Sequence, residues 1–546
     1  MPSPSRILAR VPIATAVLFC TLFVVVPLCV VVGQTFFDDD GFTLRAWTNL
    51  VFEKFGGEQL LRSLELGVAA CAVANLFGFG HAWLCERTDL PFARQLGPLA
   101  ILPLVVPPIL VAMGFADFWP ASGFWICAML LGTSYAPFVA VMTARGLRAV
   151  DGRSYEAALL ARGRPAAERM LLRRILPEIA AGTLFAFVFV VSDHGVPEFL
   201  TVKGKTWHTY AEHVQSLWTR RATGITHEAV ASPIVASLPL ILLIVVALWL
   251  ALRFRAHSEL RSDFRPLPQR SLGRWRWPAL ALPITFLTCG VGVPITVMLR
   301  WAAGSSQKIE PMSVAILRRS FHRAVTQAGD DIAHTLWIGL CVTVLLLLVA
   351  IPLAQRAARR SRWIEGAAIV PLAVPAVLLS IGFIRSYNST LANDAYAALG
   401  DLSGGNLDFD FYNSVGIVVC EYVARFLPFG VITLAGAARR RARSLDEATL
   451  LAGRGPLATG LRIHLPLLAP AAWSVACLGF ILALRELDCA VLLPSGNGTI
   501  VRRLSNIVHF GGEDVGGALA ILLLFAAVLF PILTLIVTGR KLRTLS

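Results

Sequence analysis

The sequence predicts an all-α polytopic membrane protein, with about twelve transmembrane helices in two parallel six-helix repeats. Three observations predict it. The 546 residues are 56% hydrophobic and 15% charged, whereas about a quarter of the residues in a soluble domain are charged. Many apolar runs reach the roughly 20 residues that cross a bilayer as a helix. A basic loop of similar sequence occurs once in each half of the chain.

Each apolar run predicts one spanning helix, and no run shows the strict alternation of polar and apolar residues that a membrane β-barrel requires. The first run is too long for the core of a cleavable signal peptide, so we expect it to be retained. The runs lie at residues 11–33, 64–84, 96–116, 123–145, 178–195, 229–252, 277–300, 332–355, 365–386, 413–436, 467–490 and 516–539.

Lys and Arg predict which connections face the cytoplasm. The two termini and alternate connections, among them 85–95, 146–176, 253–276 and 437–466, hold 31 Lys and Arg residues, and the opposite set holds 14. Cytoplasmic loops carry an excess of these residues. We therefore expect both termini in the cytoplasm, and the net charge of +15 needs no nucleic acid partner.

The polar stretch 253–276 divides the chain into two halves of six runs each. We predict a first domain at 1–252, a cytoplasmic linker at 253–276 and a second domain at 277–546. The repeated loops, at 146–177 and 437–466, lie between the fourth and fifth runs of each half. This arrangement is typical of a parallel duplication about an axis along the membrane normal.

The second copy of the loop reads "EATLLAGRGPLATGLRIHLP" and begins at Glu447. Ser444 precedes Glu447 by three residues, which is the pattern of a helix N-terminal capping box. A short helix should follow, and Gly453, Gly455 and Pro456 should end it. A second helix should then run toward Leu465 and stop at Pro466. The predicted knob consists of helix, sharp turn and helix, with the turn at Gly453, Gly455 and Pro456.

The first copy, "EAALLARGRPAAERMLLRRILP", is imperfect. Arg153 stands where the second copy has its capping serine, and Arg162 stands in place of its first glycine. The bend could therefore differ between the copies. A single basic loop of this kind could simply lie on anionic lipid, but two copies in matching positions favour a knob that docks on a partner. The first copy retains Glu156, Ala157, Ala158, Gly163 and Pro165.

Both loops resemble the motif E-A-A-x3-G-x9-I-x-L-P of type I ABC importer permeases. In the second copy Glu447, Ala448, Gly453, Ile463 and Leu465-Pro466 match it, with Thr449 at the third position. A fused two-domain chain of this length resembles the ferric-iron transport group, whose relatives handle thiamine and phosphonates. The segment 484–511 resembles the region that follows the motif in that group.

The resemblance implies the type I permease fold and a bacterial inner-membrane location. It implies that each loop is a coupling helix, so that the chain binds two copies of an ATP-binding subunit, and that a periplasmic binding protein delivers the substrate. ATP and magnesium would then belong to the partner subunits, and this chain would need no cofactor. The implied coupling residues are Glu156, Ala157, Ala158, Gly163 and Pro165 in the first loop, and Glu447, Ala448, Gly453, Gly455 and Pro456 in the second.

A phosphate-binding loop is not predicted. Gly204-Lys205-Thr206 ends like one, but Phe199 occupies the position of the required earlier glycine. We therefore expect no ATP site in this chain and no enzymatic activity of its own.

Charged residues at membrane depth are costly and often functional. Glu421 and Arg425 lie one helical turn apart within one apolar run. A mutual ion pair that stabilises the helix bundle is the favoured interpretation. The alternative places Glu421 beside the path of the substrate.

Further charged residues end the fifth run of each half: Asp193 and His194 in the first, Glu486 and Asp488 in the second. In type I permeases these helices line the central path, as the resemblance implies. Carboxylate and imidazole groups suit a hard cation such as Fe³⁺, although ordinary charges at helix ends explain them equally well. A metal-ligand set cannot be assigned from the sequence.

We therefore expect an ATP-driven importer permease whose cargo is ferric iron, with thiamine, phosphonate or another small anion as alternatives. Outer loops at 196–228, 387–412 and 491–515 would seat the binding protein. A twelve-helix secondary transporter is a second alternative, with Glu421 as an ion-coupling group, but it would not need paired loops. An intramembrane enzyme is a third, although no HExxH or paired-carboxylate motif supports it.

Overall fold

A computed structural model provides the structure of the chain. It describes residues 11–38, 41–44, 47–48, 57–119, 123–201, 207–221, 234–254, 265–304, 312–360, 362–402, 410–439, 451, 459–493, 498–510 and 512–542. Nearly all of these residues lie in helices, which we number in chain order.

The first helices are α1 (Val11–Gly33), α2 (Gly57–Arg87), α3 (Ala93–Val105), α4 (Pro108–Phe118), α5 (Phe124–Ala149), α6 (Gly152–Ser192), α7 (Gly195–Thr201), α8 (Tyr210–Arg221), α9 (Leu238–Phe254) and α10 (Pro278–Ala303). The later helices are α11 (Val314–Arg360), α12 (Arg362–Ala373), α13 (Ala376–Tyr387), α14 (Thr390–Leu402), α15 (Val415–Arg439), α16 (Arg462–Arg485), α17 (Asp488–Leu492), α18 (Ile500–Phe510) and α19 (Glu513–Leu542). A two-stranded antiparallel hairpin, β1 (Phe37–Asp38) with β2 (Gly41–Phe42), follows α1.

Within the described residues, nine helices are long and apolar enough to span a membrane. Two further spans are bent pairs, α3 with α4 at 91° and α12 with α13 at 96°. The shorter apolar helix α9 accounts for the remaining predicted run. Every predicted apolar run therefore corresponds to a helix or a bent pair, and the all-α polytopic class is confirmed.

The chain forms two compact units. Unit 1 consists of Met1–Leu44 and Trp301–Ser546, and unit 2 consists of Arg45–Arg300. These units differ from the sequence halves. Helix α1, the first helix of the first half, packs in unit 1 with the second half, and α10, the first helix of the second half, packs in unit 2 with the first half. The predicted boundary at 253–276 remains a boundary of the sequence repeat, and the exchange of α1 and α10 is invisible in the sequence.

The exchanged helices are tightly packed. In unit 1, Tyr387 of α13 donates a hydrogen bond to the carbonyl oxygen of Leu22 at 2.8 Å, and a methyl group at Gly382 would lie 2.8 Å from the carbonyl oxygen of Pro27. In unit 2, Phe286 of α10 is fully buried and stacks on Phe77 of α2 at 5.7 Å. Each exchanged helix is therefore part of the core of its unit.

Three helices contain a π turn immediately before a proline. The turns are Thr21–Val25, Thr288–Gly292 and Gly460–His464. In each, the N–H of the next residue bonds back to the first carbonyl of the turn, and the residue after that is the proline: Pro27, Pro294 or Pro466. A proline ring collides with the carbonyl four residues earlier and offers no N–H. Widening the preceding turn relieves both problems, and π turns of this kind are single insertions within α-helices.

The π turn corrects one prediction. The second helix of the repeated loop does not stop at Pro466, since α16 continues to Arg485. In the first copy α6 likewise continues through Pro177 to Ser192. Prolines are tolerated in membrane helices where local adjustments satisfy the freed backbone groups.

The exchange of α1 predicts a specific cross-link. In a variant whose ten native cysteines are replaced by alanine, Val31→Cys with Gly382→Cys should form a disulfide, because a Cβ atom at Gly382 would lie 3.0 Å from the Val31 side chain. A protease site inserted between residues 258 and 259 then reports the result. The cleaved fragments should stay joined on a non-reducing gel.

The control pair is Val31→Cys with Gly114→Cys, since Gly114 occupies the matching Gly-Phe position of the first half. If α1 instead packed within its own half, the fragments of the first pair would separate after cleavage and the control pair would become cross-linked.

Candidate functional site

The first repeated loop begins at a capped helix N-terminus. The Asp151 carboxylate accepts a hydrogen bond from the backbone N–H of Arg153 at 3.1 Å, and α6 starts at Gly152. Asp151 therefore takes the capping role that the sequence predicts for Ser444 in the second copy. Acidic caps are favourable at this position because the first N–H groups of a helix have no intrahelical partner.

The bend lies at Gly163, whose φ of 75° and ψ of 177° interrupt the helix. A positive φ is strained for residues with a Cβ atom, so glycine is required there. Pro165 follows in the first turn of the continuing helix, where its missing N–H is tolerated. Glu156, Ala157 and Ala158 lie in the arm before the bend. The first copy therefore has the helix, glycine turn and helix predicted for the motif.

A buried polar contact holds the two arms of this loop together. Tyr155 donates a hydrogen bond to Glu168 Oε1 at 2.9 Å, and Arg87 of α2 lies 3.4 Å from the same oxygen. The Arg87 guanidinium also lies over the Tyr155 ring, 4.5 Å from its centre. A buried cation–π contact of this kind is worth about 2 kcal/mol. The bend is thus fixed to α2 from within.

One leucine in each loop is almost fully exposed. Leu160 is 88% exposed and Leu451 is 90% exposed, more than any other large hydrophobic side chain in the described residues. Both are the fifth residue of their motif copy, counted from Glu156 and Glu447. These leucines were not predicted from the sequence. The available signal was a leucine at the same position of both motif copies.

The remaining predicted coupling residues of the second loop, Glu447, Ala448, Gly453, Gly455 and Pro456, lie outside the described residues. Their roles stay predictions. The rejected phosphate-loop segment at 202–206 also lies outside them.

A second candidate site lies where α6 meets α7 in unit 2. Asp193 ends α6, and its carboxylate accepts hydrogen bonds from Tyr135 Oη and from the backbone N–H of Val196, both at 3.0 Å. An acidic side chain is unfavourable at a helix C-terminus and favourable at the next helix N-terminus. Asp193 occupies both positions, which is consistent with its two donors. His194 is the next residue and is partly buried.

The corresponding break in unit 1 lies between α16 and α17. The Glu486 carboxylate accepts a hydrogen bond from the N–H of Cys489 at 3.3 Å, and Tyr422 donates to the Glu486 carbonyl oxygen at 3.3 Å. In each unit, therefore, a long helix ends at an acidic residue, and a tyrosine of the preceding long helix contacts that residue: Tyr135 contacts Asp193, and Tyr422 contacts Glu486.

Arg425 is the main difference between the two breaks. Its Nε lies 3.2 Å from Glu486 Oε2, and its Nη2 lies 3.5 Å from Asp488 Oδ2. The predicted pair of Glu421 with Arg425 is therefore wrong. Arg425 points to the end of α16, where two carboxylates surround it, because tertiary packing brings that helix end closer than the residue one turn away.

Glu421 has a different partner. It is fully buried, and Ser380 of α13 donates a hydrogen bond to its Oε1 at 2.5 Å. Within the part of the chain that the structure describes, no group of three or more His, Cys, Asp or Glu side chains is placed to hold a metal ion. Glu486 and Asp488 instead lie around Arg425, and Glu421 is bonded to Ser380.

The ion pairs of Arg425 predict a strong effect of its removal. Arg425 and Glu486 side chains are 11% and 9% exposed, and loss of one partner of a buried pair costs about 3 to 5 kcal/mol. Arg425→Gln should therefore lower the melting temperature of the purified protein in detergent. Exposed Arg94→Gln is the control and should change it little.

Glu486→Gln added to Arg425→Gln should restore part of the loss, since it removes one of the two uncompensated carboxylates. A double variant that is as unstable as the sum of the single variants would contradict the assigned pairing.

Comparisons with known proteins agree with this architecture. The family model described as binding-protein-dependent transport system inner membrane component matches residues 74–258, which include α5, α6 and the first bend. The chain is 20% identical over 527 residues to the putative ferric transport system permease protein FbpB 1 of Haemophilus influenzae. That alignment covers 89% of this chain and 78% of the relative.

Two shorter similarities involve other permeases. The diacetylchitobiose uptake system permease protein DasC of Streptomyces coelicolor is 30% identical over 132 residues, which cover 24% of this chain and 47% of that protein. The molybdenum transport system permease protein ModB of Mycobacterium tuberculosis is 25% identical over 194 residues, which cover 34% and 71% respectively. Residues 74–258 therefore match the inner-membrane-component family of binding-protein-dependent transport systems, and over most of its length the chain is similar to an ABC importer permease.

Proposed function

We propose that this permease moves a substrate from a periplasmic binding protein to the cytoplasm, with one ATP-binding subunit docked on each repeated loop. The pair of exposed leucines carries this proposal. A leucine side chain exposed at 88% or 90% is unfavourable in water and favourable in a hydrophobic pocket of a partner. Two such side chains at matching motif positions support two equivalent docking contacts.

The rigidity of the first loop supports a mechanical role. The bend at Gly163 places Leu160 in the arm that ends at the bend, and the Tyr155–Glu168–Arg87 contact fixes both arms to α2. A force applied at the bend is then transmitted to the membrane helices and not absorbed by the loop. The proposed transport step is a rocking of repeats that opens a central path alternately to each side.

The contacts of unit 2 support a shared side for three basic connections. Asp89 N donates a hydrogen bond to Arg270 O at 3.1 Å, and Gly152 N donates to Arg265 O at 2.9 Å. The segment 85–95, the start of α6 and the described linker residues 265–272 thus meet at one end of the unit, as the Lys and Arg content of these connections predicts. We propose that this end is cytoplasmic, with both termini on that side of the bacterial inner membrane.

The binding protein would then dock at the opposite side, on the loops at 196–228, 387–412 and 491–515. In the described parts of these loops lie the helices α8, α14 and α18. The acidic residues of 387–412 remain candidates for this contact.

We propose ferric iron as the cargo. The relative that aligns over most of this chain is a putative ferric transport system permease, and carboxylate and phenol oxygens lie at the helix break of unit 2, where Tyr135 and Asp193 meet. Hard cations prefer such oxygen donors. Thiamine, phosphonate or another small anion remains the alternative.

In this proposal the path residues have different tasks. Asp193, His194 and Asp488 are candidates for transient contact with the cargo, while Glu486 and Arg425 mainly hold the break of α16 in place. Glu421, sealed by Ser380, contributes to the packing of α13 on α15.

The docking role predicts that Leu160→Glu and Leu451→Glu each weaken retention of the ATP-binding subunit. Loss of a well-buried interface anchor costs about 2 kcal/mol or more, so the dissociation constant should rise by at least about tenfold. Co-purification and surface binding with the purified ATP-binding subunit measure the effect.

Leu391→Glu is the matched control, because Leu391 is 79% exposed and lies on α14, in the predicted outer loop 387–412. We expect the membrane helices to fold in all three variants. If the Leu160 and Leu391 variants retained the ATP-binding subunit equally well, the docking role assigned to Leu160 would be wrong.

The cargo is tested by uptake of radioactive ferric iron into vesicles that contain the permease, its ATP-binding subunit and its binding protein. We expect the uptake to require ATP. Unlabelled ferric iron should reduce the uptake of the radioactive iron, whereas molybdate, thiamine and phosphonates should not reduce it. ATP-dependent uptake of one of those competitors, with no iron uptake, would replace iron as the cargo without affecting the permease assignment.

A further inference from the structure

The part of the linker that the structure describes is not a loose connection. Residues 265–272, here called the linker strap, run along the ends of α2 and α6 in unit 2. At α2, Arg270 N donates a hydrogen bond to Arg87 O at 2.7 Å, and Asp89 N donates to Arg270 O at 3.1 Å. These two bonds form a parallel β bridge. The backbone of the strap is therefore paired with the backbone of residues 87–89, at the end of α2.

The Asp89 side chain fixes the end of the strap that leads to α10. Its carboxylate accepts a hydrogen bond from Leu272 N at 2.8 Å and a longer one from Ser271 Oγ at 3.3 Å. Bonds from backbone N–H groups to a charged carboxylate are stronger than neutral ones. Helix α10 starts shortly after this anchor, at Pro278.

The other end of the strap is attached to the start of α6. Gly152 N donates a hydrogen bond to Arg265 O at 2.9 Å, and Arg265 N lies 3.4 Å from the Asp151 carboxylate that caps the helix. A Cβ atom at Gly152 would lie 2.6 Å from the carbonyl oxygen of Pro266. This close approach requires glycine at the first residue of α6.

The middle of the strap contributes to the hydrophobic core beneath the bend. Leu267 packs against the buried cluster of Leu147, Val150, Tyr155, Ala167, Leu171 and Ile175. Tyr155 in this cluster is also the residue that holds the two arms of the loop together. The strap therefore contacts the first repeated loop at three places: at the cap residue Asp151, at Gly152 and in the hydrophobic cluster around Tyr155.

We propose that the linker strap positions the first coupling loop and transmits its movement to α10. The inference rests on the proposed docking of an ATP-binding subunit at this loop. When the loop moves, Gly152 and Leu267 move the strap, and the anchor at Asp89 passes the displacement to the start of α10. Phe286 of α10 is buried against α2, so the movement reaches the core of unit 2.

The first test lengthens the chain on either side of the strap. A short Gly-Ser insertion after Leu272 separates the strap from α10, whereas the same insertion between residues 258 and 259 lies before the strap. In vesicles with all subunits, we expect the first insertion to lower the amount of cargo moved per ATP hydrolysed several-fold. The second insertion should leave this ratio unchanged, and both variants should retain the ATP-binding subunit.

Equal ratios for the two insertions would overturn the transmission role. Failure of the docking proposal would look different, because the unmodified permease itself would then fail to retain an ATP-binding subunit.

The second test needs no partner. Asp89→Ala removes both side-chain anchors, while Asp89→Asn keeps an oxygen for Leu272 N. Hydrogen–deuterium exchange of the purified full chain should become faster at residues 152–162 in the alanine variant and stay close to the unmodified rate in the asparagine variant. Asp410→Ala is the matched control, since Asp410 also accepts a backbone hydrogen bond, from Asn413 at 3.1 Å, but in unit 1.

Unchanged exchange in Asp89→Ala, with melting temperature as the check that the variant is folded, would overturn the positioning role. Faster exchange throughout unit 2 would do the same, since it would show a general loss of stability in place of a local release.

Discussion

Several helix interruptions in the described part of this protein reflect one constraint: a bilayer offers no water to satisfy a free backbone N–H or carbonyl. The chain meets it in two ways. At three of the prolines that lie within described helices, Pro27, Pro294 and Pro466, a π turn forms before the ring. At two helix breaks, a carboxylate that follows one helix caps the N-terminus of the next, as Asp193 and Glu486 do. The acidic residues that suggest a substrate path are thus also the residues that make the helix breaks possible.

The same constraint accounts for a contact that recurs in both units. The first N–H of α8, from Tyr210, bonds to Ser63 Oγ at 2.8 Å, and the first N–H of α18, from Ile500, bonds to Thr335 Oγ1 at 2.9 Å. In each case a hydroxyl of the unit's first long core helix satisfies the start of a short helix that follows the break. The sequence duplication is therefore preserved in the hydrogen bonding as well as in the repeated loop.

Local patterns predicted what local physics determines. Apolar run length gave the spanning helices, and Gly163 with Pro165 gave the bend, because both depend on neighbouring residues. Two features depend on tertiary packing and could not be predicted: the exchange of α1 and α10, and the pairing of Arg425 with Glu486 in place of Glu421. The capping of α6 by Asp151 is local, and it was missed because Asp151 lies outside the position at which the second copy has its serine. Leu160 lies between these cases, since comparison of the two motif copies would have found it while a search for polar and catalytic groups did not.

The exchange of the first helices has a consequence for biosynthesis. Domains generally fold in the order in which the ribosome delivers them, yet α1 has its packing partner, α13, in residues that are synthesised much later. During translation α1 must wait in the bilayer without its native neighbours, and unit 2 must wait for α10. Maturation of this chain therefore cannot proceed one half at a time, and truncated translation products are expected to be substrates of membrane quality-control proteases.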